Sequence, residues 1–507
     1  MIRARVARNA ISNYIATTIV LGSGFVITPL ILAKLGPTQY GLWVLVASIT
    51  AYGTLFNFGI GTALIKYVAE FSSRDEPALA RSLITTTLYM YLGVGAGVLV
   101  FSLVLAGLFP LLFRVDPGSY DTVRSLVIVS GLALSLSTLM AVPAGVLQGL
   151  QRFDLVNTLG LLNLLLSPIA GLAVLMLGGN VVGFVAASIP ISLTVQLLGH
   201  ALIRRTAPDY AIRWRGARRD LVRMILRYSW AMLVLDLADR IKLKSDEVVV
   251  GALLPITLVT PYYLARRLSE IPKLLTLQFQ KVLMPIASEL HAADDQSRLK
   301  AVFLTGTRLT PAIFSASGIT IAALARPALI VWVGPDYAIH APIVVVLVIA
   351  GFIELSQYPA GAVLQGITRY RPLAAIAMAS AAANLFISIV LIQRIGIIGA
   401  AFGTLISVVL EVFLLALPYA LRVLGVPARA LVTQAFLPAL LPAIPTLAVL
   451  LALQQFVDLA VWPLLLGAGL LGVVVYALGY LLFGATPDER QSYKTLLASR
   501  FSRSSHK

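Results

Sequence analysis

Val146-Leu-Gln-Gly-Leu-Gln-Arg-Phe153 returns 217 positions later as Val363-Leu-Gln-Gly-Ile-Thr-Arg-Tyr370. Asn180-Val-Val-Gly183 returns as Gly396-Ile-Ile-Gly399, and Val115-Asp-Pro-Gly-Ser-Tyr120 has a counterpart in Val333-Gly-Pro-Asp-Tyr337. Three matches in one order, at nearly one offset, mark an internal duplication. The 507-residue chain therefore reads as two related halves, 1–215 and 216–425, followed by a shorter segment, 426–507.

Composition says what the halves are made of. Hydrophobic residues make up 59% of the chain, charged residues 12%, and the mean hydropathy is +0.91. Apolar runs long enough to cross a hydrocarbon core of roughly 30 Å recur throughout. Fourteen can be placed, numbered in chain order at about 9–33, 41–64, 83–111, 123–147, 156–177, 181–203, 228–253, 259–286, 304–327, 340–364, 373–393, 397–421, 431–453 and 460–484, six in each half and two in the final segment. The expected fold is an all-α integral membrane protein of fourteen transmembrane helices, two six-helix lobes plus an extra C-terminal helix pair. A six-span unit returns to its starting side, so the lobes should be parallel, with a site between them near the midplane.

Charge gives the orientation. Most of the 39 Lys and Arg fall at the N-terminus, the even-numbered loops and the C-terminus; Lys34, Arg114, Arg124, Arg326 and Arg394 fall on the other side. The positive-inside rule then places both termini in the cytoplasm, and it accounts for the net charge of +17 without nucleic acid. Arg3, Arg5 and Arg8 precede an apolar run reaching Lys34, too long for a signal-peptide core, so the first span is expected to stay. The loop after span 6 is rich in arginine, and its end, Arg218 to Trp230, reads as an amphipathic helix on anionic headgroups.

Enzyme signals are absent. With no cysteine there is no disulfide and no thiol catalysis. His200, His291, His340 and His506 are dispersed, without metal-ligand spacing. No Walker A sequence is present, so hydrolysis of ATP by this chain is not expected.

The duplication decides how 228–286 is read. Hydropathy alone discards this stretch, yet it occupies the place of spans 1 and 2. Between Asp236 and Lys273 it carries eleven charges: Asp236, Asp239, Arg240, Lys242, Lys244, Asp246, Glu247, Arg266, Arg267, Glu270 and Lys273. One charge at the centre of a spanning helix costs roughly 2.5–3.5 kcal/mol, and eleven facing lipid would cost roughly 30 kcal/mol. They must face a polar cavity or one another. Asp236–Arg240 and Lys242–Asp246 are i,i+4 pairs and Lys244–Glu247 is i,i+3, while Arg266, Glu270 and Lys273 share a face of span 8. One reading is buried ion pairs pinning two helices, although desolvation makes such pairs poor stabilisers. The other is a hydrated wall that receives an anionic headgroup, with Arg240, Lys242, Lys244, Arg266, Arg267 and Lys273 as its cations.

Elsewhere, Glu354 and Glu411 are isolated acids inside spans 10 and 12, candidates for proton or ion coupling or for buried pairing. Asn57 reads as cavity polarity and Lys66 as a cytoplasmic-end anchor. Gly93 and Gly97 form a small-xxx-small face suited to helix packing. Tyr262, Tyr263 and Tyr358 line a cavity or mark interfaces.

Leu35-Gly-Pro-Thr-Gln-Tyr-Gly-Leu42, Asn57-Phe-Gly-Ile-Gly-Thr-Ala-Leu-Ile-Lys-Tyr-Val-Ala-Glu70 and the repeated Leu-Gln-Gly-x-x-Arg carry a family resemblance. The chain resembles the polysaccharide-biosynthesis (Wzx-type) lipid-linked oligosaccharide flippases of the MATE-like MOP superfamily over roughly 8–425. The resemblance implies alternating access and a polyprenyl-pyrophosphate-linked oligosaccharide substrate. It puts the pyrophosphate and nearby sugar on the six cations named above. Asp236, Asp239, Asp246, Glu247, Glu270, Glu354, Glu411 and Asn57 are then coupling or cavity-lining groups. No cofactor is expected beyond a coupling ion, H+ or Na+, or the membrane potential. Expected partners are membrane lipids and a polysaccharide polymerase or glycosyltransferases, in a bacterial cytoplasmic (inner) membrane. Many Wzx-type members have twelve spans; fourteen is the count of MurJ-type lipid II flippases. The rival readings are a MATE-type exporter, a lipid II flippase, a membrane-embedded glycosyltransferase or polymerase, and a non-transporting envelope-synthesis scaffold.

Overall fold

Helices alone satisfy every backbone polar group within one segment, which a bilayer demands of an open chain, and every described element is helical. The computed structural model describes the backbone of residues 2–491 except 58, 114, 213, 215, 281, 282, 370 and 488. Side chains are described over the same residues apart from 2–21, 54–56, 228–244, 278, 280 and 371. The chain forms two compact units by packing, Met1–Thr260 and Pro261–Lys507.

The N-terminal unit holds α1 (Ile2–Thr50), α2 (Ile60–Ser73), α3 (Pro77–Leu112), α4 (Tyr120–Thr138), α5 (Ala141–Gly149) and α6 (Phe153–Met176). It continues with α7 (Val181–Ala186), α8 (Ser188–Thr206) and α9 (Arg219–Leu253). The α1 helix is two helices joined at Gly36 (φ 70°, ψ 169°). The residue before a proline is pushed out of the helical region, and only glycine takes this left-handed φ without strain. Leu254 before Pro255 leaves α9 in the same way, in an extended conformation. Ile60, Leu64, Leu83, Val98, Val146 and Leu147 are among the buried core of this unit.

After α10 (Val259–Ser269), the C-terminal unit holds α11 (Ile271–Gln280), α12 (Leu283–Ala292), α13 (Gln296–Ala323), α14 (Ala325–Val333), α15 (Ala341–Ser356), α16 (Tyr358–Gly366) and α17 (Arg371–Ile395). It ends with α18 (Ile398–Val409), α19 (Leu417–Leu424), α20 (Ala428–Leu431), α21 (Leu437–Leu440), α22 (Ala443–Phe456) and α23 (Trp462–Gly479). A π-helical stretch, Leu410–Ala416, joins α18 to α19. The last helices pack on α13: a methyl group on Gly472 of α23 would meet Thr320 Oγ1 at 2.7 Å. Arg308 of α13 forms an ion pair with Glu489 beyond α23.

Among the described residues ten helical stretches are long and apolar enough to cross a membrane, or eleven counting the bent pair α13–α14 (71°) as one. The sequence count of fourteen is higher for identifiable reasons. Spans 1 and 2 run through one helix across Gly36, α9 is too charged to qualify on hydropathy, and span 8 is divided among α10, α11 and α12. Large apolar side chains such as Leu111, Phe386, Ile444 and Leu470 lie exposed, as lipid-facing residues do.

The repeated motif folds the same way twice. After Gly149 and Gly366, Gln151 (φ 62°) and Thr368 (φ 58°) turn left-handed. Arg152 N–H then donates to the Leu147 carbonyl and Arg369 N–H to the Leu364 carbonyl, both at 2.8 Å. A Cβ on Gly149 would lie 2.7 Å from Val68 Cγ1 of α2, and one on Gly366 2.9 Å from Ala287 Cβ of α12. Asp75 (φ 57°) and Asp294 (φ 55°) form a second matched pair, just after α2 and α12.

Two packing expectations change. A methyl group added at Gly93 or Gly97 meets nothing within 4 Å; the close contact is at Gly95, 2.8 Å from Ser135 Oγ of α4. That hydroxyl donates to the Gly95 carbonyl (2.9 Å), so a hydrogen bond selects this face over the one the spacing suggested. The segment from Arg218 is no separate surface helix: from Arg219 it is the first part of the 35-residue α9, with Leu221 and Ile225 in the core. Gly149→Val and Gly366→Val should each destabilise the protein by about 1–3 kcal/mol through overpacking. A lowered thermal midpoint in detergent would register this, with Gly97→Ala close to wild type.

Candidate functional site

The polar interior of the C-terminal unit begins on span 8. Pro272 lacks an N–H and leaves the Leu268 carbonyl without its helical donor, and α10 gives way to α11 at Glu270. Arg266, Arg267, Glu270 and Lys273 stand around this break. Arg266 Nε donates to Glu270 Oε1 at 3.1 Å, an i,i+4 pair whose base is nearly buried and whose acid is half exposed. Arg267 Nη1 donates to the Tyr263 hydroxyl at 3.4 Å, and among the described residues no carboxylate pairs with it. Lys273 Nζ reaches across to Glu354 Oε2 of α15 at 2.5 Å, with side chains 19% and 11% exposed. The Tyr358 hydroxyl donates to the other oxygen of Glu354 at 3.5 Å.

A second buried acid lies on span 12. Glu411 sits in the π-helical stretch, 5% exposed. Gln357 Nε2 donates to its Oε1 at 2.9 Å and the Ser380 hydroxyl to its Oε2 at 2.7 Å. Turns of this width are rare and gather at functional sites. Gln357 and Ser380 were not singled out from the sequence; single polar residues in apolar spans give no periodic signal there. Among the described residues no cluster of His, Asp and Glu could hold a metal ion.

The other expected site residues lie in the N-terminal unit. Asp246 and Glu247 of α9 are buried, at 3% and 1% exposure. Asn57 ends the turn before α2, and its Oδ1 is buried without a hydrogen-bond partner. Asp236, Asp239, Arg240, Lys242 and Lys244 lie on α9, but their side chains fall outside the described residues. The structure thus joins Lys273 to Glu354 and Arg266 to Glu270, while Glu411 has its own set of donors.

The family described as polysaccharide biosynthesis protein matches residues 6–291. The chain is 24% identical over 436 residues to a probable flippase, AglR, of Haloferax volcanii, covering 83% of this chain and 85% of that one. Its fold is similar to that of the lipid II flippase MurJ in an inward closed conformation: TM-score 0.71 at 16% identity, over 97% of this chain and 100% of that one. It is also similar to an inward-facing multidrug resistance MATE transporter of the MOP superfamily, with TM-score 0.64 at 14% identity, over 84% of this chain and 100% of that one.

Removing one member of a nearly buried ion pair strands the other. Lys273→Met or Glu354→Gln alone should cost about 3–5 kcal/mol, and the double variant should recover most of it. A double-mutant cycle on thermal unfolding in detergent checks this.

Proposed function

The chain belongs to the polysaccharide biosynthesis protein family, and on that footing we propose that it is a flippase for a polyprenyl-pyrophosphate-linked oligosaccharide. It is a transporter rather than an enzyme, and it serves cell-surface polysaccharide assembly. In this reading fourteen spans cross a cytoplasmic membrane with both termini inside, and the sugar headgroup crosses by alternating access while the lipid tail stays in the bilayer. The drive is a coupling ion, H+ or Na+, or the membrane potential.

The observation that carries the proposal is the paired guanidinium groups at the break in span 8. Arg266 is held by a half-exposed acid and Arg267 by a neutral hydroxyl. Guanidinium forks match phosphate oxygens, and a nearly buried site strengthens the match. A cation exporter would instead favour an acidic face, and the acids nearest by, Glu270 and Glu354, are both engaged with bases. A lipid II flippase would use the same pyrophosphate contact and differ only in the sugar it admits.

Proteoliposomes loaded with fluorescent polyprenyl-pyrophosphate glycolipids test this, with an oligosaccharide and a lipid II headgroup in separate arms. Wild type should translocate the oligosaccharide form. The triple variant Arg240→Gln, Arg266→Gln, Arg267→Gln should slow it by about tenfold or more, the scale of lost charged hydrogen bonds. Unchanged translocation would remove these residues from the site.

A further inference from the structure

We propose that a cavity between α2 and the start of α9, within the N-terminal unit, binds the phosphate of a net-anionic lipid headgroup at the cytoplasmic face. The cavity measures about 610 Å³ and is lined by Tyr67, Asp220, Arg223, Met224 and Arg227. Its position follows from the helices around it. The α2 helix ends at Ser73 in the loop before span 3, and α9 begins at Arg219 after the arginine-rich loop that follows span 6. By the positive-inside rule these ends are cytoplasmic. Trp214, 67% exposed, is tied there by the Tyr89 hydroxyl, which donates to its carbonyl at 2.8 Å, and an exposed tryptophan suits the headgroup layer.

The charges in the cavity favour an anion. Leu221 and Ile225 anchor this part of α9 in the core, while Arg223 and Arg227, one turn apart, stay exposed. Neither arginine has an ion-pair partner among the described residues. The one acid in the wall, Asp220, is already engaged: Arg218 Nη2 lies 2.7 Å from its Oδ2. The hydrogen bond from Arg218 holds the Asp220 carboxyl below the usual carboxylate range, so the pair persists through neutral pH. Outside the wall, Lys66 Nζ lies 4.4 Å from the centre of the Tyr67 ring. The Tyr67 ring and Met224 supply an apolar wall for the first methylenes beyond a phosphate. Two arginine forks beside an apolar wall, at headgroup depth, fit a phospholipid better than a free ion. Such a site does not depend on what the protein transports.

Native mass spectrometry of the full-length protein in detergent, titrated with phosphatidylcholine, phosphatidylglycerol or polyprenyl pyrophosphate, tests the proposal. Wild type should bind one or both anionic lipids in preference to phosphatidylcholine. Arg223→Gln/Arg227→Gln should weaken that binding by about tenfold, with the thermal midpoint unchanged. Arg223→Lys/Arg227→Lys should restore part of it, and Arg219→Gln, next to the cavity but not in its wall, should bind like wild type. Preference for phosphatidylglycerol would identify a bulk-lipid anchor, and preference for polyprenyl pyrophosphate a loading point; either upholds the site. Equal binding by wild type and the double glutamine variant, or an equal loss with Arg219→Gln, would overturn it.

Discussion

A charge held at membrane depth must find its counterpart inside the protein, because lipid offers none. The interior of the C-terminal unit is arranged around that constraint. Lys273 is met by Glu354, Arg266 by Glu270, and Glu411 by an amide and a hydroxyl. Each contact fixes a helix against a neighbour or stabilises a local departure from regular helix. The Lys273–Glu354 pair holds span 8 to span 10 on the far side of the Pro272 break, where the backbone hydrogen-bond ladder is interrupted. The donors on Glu411 come from the end of span 10 and from span 11, so one carboxylate ties three spans together.

Much of the fold could be read because duplication leaves a double record. The Leu-Gln-Gly-x-x-Arg motif signalled a duplication, and both copies end a helix at a glycine that a Cβ would drive into a neighbouring helix. The left-handed residue that follows is Gln151 in one copy and Thr368 in the other, neither a typical choice for that conformation. Backbone context overrides side-chain preference there. The Asp75 and Asp294 pair escaped notice because the letters around it differ: Arg74-Asp-Glu-Pro77 in one half, Ala293-Asp-Asp-Gln296 in the other. The geometry was kept while the sequence drifted.

Less of the site was legible. Helical spacing identified the Arg266–Glu270 pair, since both partners lie on one helix. The Lys273–Glu354 contact joins residues 81 positions apart, and no local periodicity carries that information. Gly93 and Gly97 had the right spacing for packing, yet the helix turns Gly95 toward Ser135 instead. A small-residue pattern shows where a close approach is sterically permitted; the partner's hydroxyl decides where it occurs.

The pairing of Lys273 changes the arithmetic of the proposed site. Span 8 brings three bases, Arg266, Arg267 and Lys273, and two carboxylates, Glu270 and Glu354, are bound to them. Of these three bases, Arg267 is the one with no carboxylate partner among the described residues. On the flippase reading, recruiting a second base from span 8 is an exchange of partners in which a carboxylate yields its base to the phosphate. The two carboxylates are not equal candidates. Glu270 is 40% exposed and is rehydrated as soon as it lets go, whereas Glu354 is 11% exposed and would be stranded. Arg266 is then the base that becomes available beside Arg267, giving two adjacent forks for one pyrophosphate. Lys273 keeps its acid and holds the two spans in place while the exchange occurs.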